Sequence, residues 1–148
     1  MVAFGFYGSS NSGKTTVIEE LIRALKERGY EVIAVKHTHL DVRADEGKDT
    51  QRFRKAGALF SVLSAKEQSS IVLDRALGIE EILRVMEPLC DVVLVEGFKG
   101  ASIKNFVFGD AEETESTIFR YSDERFEEVL EIIERAIGAA RGSGAVRS

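Results

Sequence analysis

Residues 8 to 15 read Gly8-Ser9-Ser10-Asn11-Ser12-Gly13-Lys14-Thr15, a G-x-x-x-x-G-K-[ST] loop. Each residue type has a physical task there. Gly8 and Gly13 let the backbone turn tightly and approach an anion with no Cβ in the way. The loop N–H groups, those of Ser9, Ser10, Asn11 and Ser12 among them, form a nest for phosphate oxygens. Lys14 places a mobile positive charge on the outer phosphates. Thr15 offers a hydroxyl to a Mg²⁺ ion that the phosphates also hold. The helix that begins here, with Thr16 in its first turn, adds its positive dipole end.

The flanks agree with the loop. Val2 to Tyr7 is a short apolar run that suits a buried strand, and Val17, Ile18, Leu21, Ile22 and Leu25 recur at helical spacing behind it. Gly29 stands where a helix C-cap belongs. Further along, strands are expected at Glu31–Lys36, Leu59–Leu63, Ser70–Leu73, Asp91–Glu96, Ile103–Phe108 and Thr117–Tyr121. Helices are expected around Phe53 and Ala56, from Ile79 to Met86, and from Phe126 to Ile137. Apolar strands that alternate with helices predict an α/β fold of the P-loop NTPase kind, a mostly parallel sheet with helices on both faces. One domain is expected over residues 1–140, with a flexible tail over 141–148.

Composition narrows the class. The chain has 148 residues and a net charge of −5, which argues against a general nucleic-acid surface. The single cysteine, Cys90, excludes an internal disulfide and a cysteine-cluster metal site, and its place beside an apolar strand predicts an inert buried thiol. No apolar run approaches the ~20 residues of a membrane helix, so no membrane partner and a cytoplasmic setting are expected.

In parallel sheets ligands gather at the carboxyl ends of the strands. Glu96 ends the run Val92-Val93-Leu94-Val95, where a carboxylate can hold Mg²⁺ or its waters. Gly97 would let the backbone approach a γ-phosphate. Asp91, at the other end of that strand, reads as structural. His37 and His39 follow the second strand and either border the phosphates or are strand-end side chains bonded to backbone. In the polar stretch beyond them Asp45 could reach Mg²⁺. Arg52, Arg54 and Lys55 either meet phosphates or a substrate's acidic groups, or form a solvated basic face. Ten acids against two basic residues between Asp110 and Glu134 read as a solvated face, with a partner surface as the alternative.

The loop together with Lys36-His37-Thr38-His39, Gly47-Lys48-Asp49-Thr50, Arg54-Lys55-Ala56-Gly57-Ala58 and Val95-Glu96-Gly97-Phe98-Lys99 resembles the MobB family, the molybdopterin-guanine dinucleotide biosynthesis protein B, over residues 2 to about 108. The resemblance implies a nucleotide-switch P-loop fold, a homodimer, and GTP with Mg²⁺ as ligands. It implies an accessory role in attaching GMP to molybdopterin beside the guanylyltransferase MobA, with weak GTPase activity at most. Carried over by position, Gly8 to Thr16 would bind phosphate, with Lys14 and Glu96 serving what hydrolysis there is. Thr15, Asp45 and Glu96 would serve the metal. His37, His39, Lys48 and Arg52 would lie near the nucleotide or a pterin ligand. Glu46 precedes Gly47 where the family often has proline. No Asn-Lys-x-Asp guanine sequence occurs, so GTP rather than ATP follows from the resemblance. A small-molecule kinase or ligase of the same fold is the alternative. A nickel metallochaperone is disfavoured by the lone cysteine and two histidines.

Overall fold

Strand β1 (Val2–Gly8) runs through the glycine loop into helix α1 (Lys14–Glu27), which leads to β2 (Val32–Lys36). Then come α2 (Lys48–Lys55), β3 (Ser61–Ser64), β4 (Ser69–Val72), α3 (Ile79–Met86), β5 (Val92–Glu96), β6 (Asn105–Phe108), β7 (Thr117–Arg120) and α4 (Phe126–Ser143). The computed structural model describes residues 1–40 and 48–143. They divide into two units, one of Met1–Thr38 with the chain from Ile79 onward, the other of His39–Gly78.

The first unit holds a five-stranded sheet in the order β2-β5-β1-β6-β7. All four pairings are parallel. The carboxyl ends therefore share one edge, where Lys36 of β2 lies opposite Glu96 of β5 and Gly8 of β1 opposite Phe108 of β6. From β1 the chain first travels to one side, to β2 and β5, and later to the other, to β6 and β7. Its carboxyl end is thus the switch point at which α/β sheets open a ligand crevice.

Two apolar layers cover the sheet. On one face Phe4, Phe6, Leu94 and Phe106 meet Val17, Ile18, Leu21 and Leu25 of α1 and Val129, Leu130, Ile133 and Ile137 of α4. On the other, Val93 and Val95 join Ile79 of α3, with Ile33, Val35, Leu83 and Met86 packed alongside. Helices lie on both faces, and this double cover explains why Val92 to Val95 is apolar without alternation. Cys90 is buried, its thiol donating to the Met86 carbonyl at 3.4 Å, and burial raises its pKa. Among the described residues no helix is long and apolar enough to cross a membrane.

The amino-terminal edge of the sheet is held by Asp91. Its carboxylate accepts from the Glu31 N–H at 3.0 Å and pairs with Arg141 at 2.8 Å. Arg141 also lies over the Tyr30 ring, 5.2 Å from its centroid. These contacts carry α4 on to Ser143, so the helix includes residues 141–143, which the sequence reading assigned to the tail. Residues 144–148 lie outside the described ones. Burial alone would raise the Asp91 pKa, but the Glu31 N–H and the Arg141 guanidinium bring it below its ordinary value. A lowered carboxyl pKa stabilises the fold above the unfolded value, and that contribution is lost as pH falls through the folded one. Asp91→Ala is expected to cost about 1 kcal/mol at pH 7, half of a charged hydrogen bond because Arg141 is exposed, and less at about pH 3, below the ordinary carboxylate value. Urea denaturation of both proteins at the two pH values measures this, and an equal loss at both would refute it.

The second unit sets α2 beside an antiparallel hairpin of β3 and β4. Both strands were expected; their departure from the parallel sheet has a simple cause. Only residues 65–68 separate them, closed by the Ala65 N–H on the Gln68 carbonyl at 2.9 Å, and a parallel return needs about a dozen residues. Arg54, its side chain buried, donates to Asp74 at 2.9 Å and to Ser61, joining α2 to the hairpin. Phe53, Leu59, Val62 and Ile71 remain exposed in this unit.

Candidate functional site

The glycine loop follows from what β1 must do at its end. Gly8 lies so close to β6 that a Cβ there would sit 2.3 Å from the Phe108 carbonyl oxygen. The loop then turns through Asn11 (φ 62°) and Gly13 (φ 84°), left-handed values that asparagine and glycine tolerate best. Gly13 caps α1 with no side-chain hydrogen bond, and the first turn holds no acid. The opening N–H groups of the helix therefore face the loop without a side-chain acceptor, as an anion site needs.

Lys14 is buried at 9% exposure. Its ammonium donates to the Gly8 carbonyl at 3.2 Å, the Ser9 carbonyl at 2.7 Å and the Ser12 hydroxyl at 3.1 Å. Ser12 in turn donates to the Ser9 carbonyl at 2.8 Å. The charge thus sits inside the loop, bonded to oxygen atoms that phosphate oxygens could replace. Ser9, Ser10, Asn11, Thr15 and Thr16 are exposed around it.

Glu96 stands at the same edge. The Thr15 hydroxyl donates to one of its oxygens at 2.9 Å and the Lys36 ammonium to the other at 3.2 Å. A hydroxyl and a carboxylate this close are the hard oxygen donors that Mg²⁺ takes when phosphates and water complete its shell. Among the described residues no three His, Cys, Asp or Glu side chains gather to hold a metal by themselves.

The chain beyond β5 wraps around His37. The His37 N–H donates to the Glu96 carbonyl at 2.8 Å, and its ring lies 4.2 Å from that of Phe98. Gly97 packs so tightly that a Cβ would approach the His37 Cβ to 3.0 Å. Phe98 has φ 53°, rare outside glycine and worth about 1 kcal/mol or more of backbone strain. On the far side of the loop the Arg120 guanidinium donates to the Gly109 and Ala111 carbonyls, fixing the segment after β6.

The structure therefore brings Gly8 to Thr16, Glu96 and His37 to one sheet edge, and leaves Asp91 at the other. His39, Lys48 and Arg52 belong to the second unit, where Arg52 pairs with Asp49 at 3.4 Å. Asp45 lies outside the described residues. Lys36 and Phe98 escaped the sequence reading as site residues. Lys36 could have been found, because the last residues of two strands that end at one edge can pair when their charges are opposite.

Residues 3–133 match the family model of MobB, molybdopterin guanine dinucleotide synthesis protein B. Over 114 residues the chain is 35% identical to the molybdopterin-guanine dinucleotide biosynthesis adapter protein of Haemophilus influenzae, covering 74% of this chain and 64% of that one. It is 40% identical over 103 residues to a Methanocaldococcus jannaschii protein that bears the same name in provisional form, covering 68% and 42%. The match thus spans less than two thirds of either relative. The crystal structure of Bacillus subtilis MobB superposes with a TM-score of 0.65 at 26% identity, over 83% of this chain and 82% of that one.

Proposed function

The chain belongs to the MobB family, and from that premise we propose that it is a GTP-binding adapter in molybdopterin guanine dinucleotide biosynthesis. It works in the cytoplasm beside a MobA-like molybdopterin guanylyltransferase, on the enzyme's molybdopterin substrate. The observation that carries the nucleotide part is the preformed loop: a buried Lys14 inside it, with Thr15 and Glu96 in contact at its mouth. Thr15 and Glu96 would hold Mg²⁺, which when bound neutralises the outer phosphate oxygens. Lys14 binds and orients those phosphates, and the open end of α1 receives them.

Slow hydrolysis suits this arrangement. Both oxygens of Glu96 are taken by Thr15 and Lys36, so the carboxylate serves position more than proton transfer from water. The exposed Leu59, Val62 and Ile71 of the hairpin unit support a second copy of the chain as its partner, and with it a homodimer. The names of the relatives support the adapter role.

Titrating GTP and ATP against the purified protein in Mg²⁺, with capture of a guanylyltransferase as a second arm, tests the proposal. GTP is expected to bind about tenfold more tightly than ATP or better, and to turn over slowly. Equal affinity for the two, with phosphoryl transfer to an added metabolite, would make the chain a kinase or ligase instead.

A further inference from the structure

Lys36 is the one charged residue of β2, and it occupies the register position opposite Glu96. Its ammonium donates to Glu96 Oε1 at 3.2 Å, while Oε2 accepts from Thr15 at 2.9 Å. The two side chains differ in freedom: that of Glu96 is 17% exposed and that of Lys36 64% exposed. The carboxylate is thus held in place and partly stripped of water, which makes a counter-charge valuable. The lysine that supplies it can swing away into solvent.

We propose that Lys36 is a positioning residue for the metal: an ammonium on β2 that shares the Glu96 carboxylate with the divalent cation and so limits how strongly magnesium and nucleotide assist each other's binding. The inference rests on the nucleotide reading above. Two cations on one carboxylate repel each other, and each weakens the carboxylate's hold on the other. The chain therefore keeps Glu96 neutralised when no metal is there, and a metal must displace or share the lysine when it arrives. A residue that only held β2 against β5 would produce no such trade.

The test is calorimetric titration of GTP into the full chain, once in excess Mg²⁺ and once in EDTA, for the parent, Lys36→Met and Lys36→Arg. The readout is the ratio of the two dissociation constants, EDTA over Mg²⁺. Lys36→Met is expected to raise that ratio about three- to tenfold, the range of an exposed ion pair plus the relieved repulsion. Lys36→Arg keeps the charge and should stay within about twofold of the parent. A ratio in Lys36→Met equal to or below the parent's overturns the proposal, and so does a uniform loss that moves both constants by one factor. A parent that binds GTP equally with and without Mg²⁺, or not at all, overturns the nucleotide–metal reading itself, an outcome visible before any variant is made.

Discussion

Lys14→Ala is expected to remove GTP binding from the measurable range while leaving a folded protein. The structure places the lysine's ammonium within the loop, among the Gly8, Ser9 and Ser12 oxygens, at 2.7 to 3.2 Å. In the complex those bonds would be exchanged for charged ones to phosphate. Each such bond is worth about 1.5–3 kcal/mol, so losing two weakens binding about 100-fold or more. Stability should change little, because the oxygen atoms left behind lie at an exposed loop and water can replace the ammonium. Calorimetry with GTP, next to a thermal melt of the same sample, separates the two effects. A Lys14→Ala protein that bound GTP as well as the parent would remove the loop from the site. Lys14→Arg should not restore binding, since a branched planar head does not fit positions that surround a single ammonium.

Among the described glycines, Gly8→Ala should be the most damaging substitution for stability. Its Cβ would lie 2.3 Å from the Phe108 carbonyl oxygen, 2.8 Å from the Phe108 Cβ and 2.9 Å from the Phe108 carbonyl carbon. Two of those atoms are backbone of a strand paired to β1, and a strand cannot step aside as a rotamer can. Relief requires β1 and β6 to part at the site edge. The expected cost is about 3 kcal/mol, the upper end for overpacking. That is a large share of the ~5–15 kcal/mol that holds a domain together, and it should lower the melting temperature by roughly 10 °C. Gly13→Ala makes the control. Nothing lies within 4 Å of a Cβ there, but φ is +84°, so its cost is backbone strain of about 1–2 kcal/mol. Gly13→Asn should recover part of the Gly13→Ala loss; Gly8→Asn should recover none of the Gly8→Ala loss. Matching melts for Gly8→Ala and Gly13→Ala would contradict the steric account.

These residues also show what a reader of the sequence can and cannot see. The loop, its strand and its helix were legible because their chemistry is local: Gly8 to Thr15 is contiguous, and the periods of α1 and α4 are written in adjacent turns. Glu96 was legible one step further out, from the rule that parallel strands present their last residues at one edge. The contact between Lys36 and Glu96 was harder, because it joins residues 60 positions apart and depends on β2 pairing with β5 rather than with β1. The close approach of Gly8 to Phe108 is a matter of register, which composition does not encode. The length of the last helix was underestimated for a related reason. Arg141 and Gly142 look like a tail until Asp91, 50 residues earlier in the chain, is seen to hold the arginine.

The central place of β1 has a consequence for how the chain is made. β1 is made well before both of its neighbours: Val2 pairs with Val92, and Gly8 with Phe108. Until then the glycine loop hangs from an apolar strand with neither flank covered. The hairpin unit lies within this gap and has only short-range strand pairing, so it can take shape while β1 still waits. Nascent chains that stop short of β5 should remain sensitive to protease and bind no nucleotide. Protection should arrive in a single step as β5 and β6 clear the exit tunnel. An early strand of this chain thus waits for late partners before its loop can work.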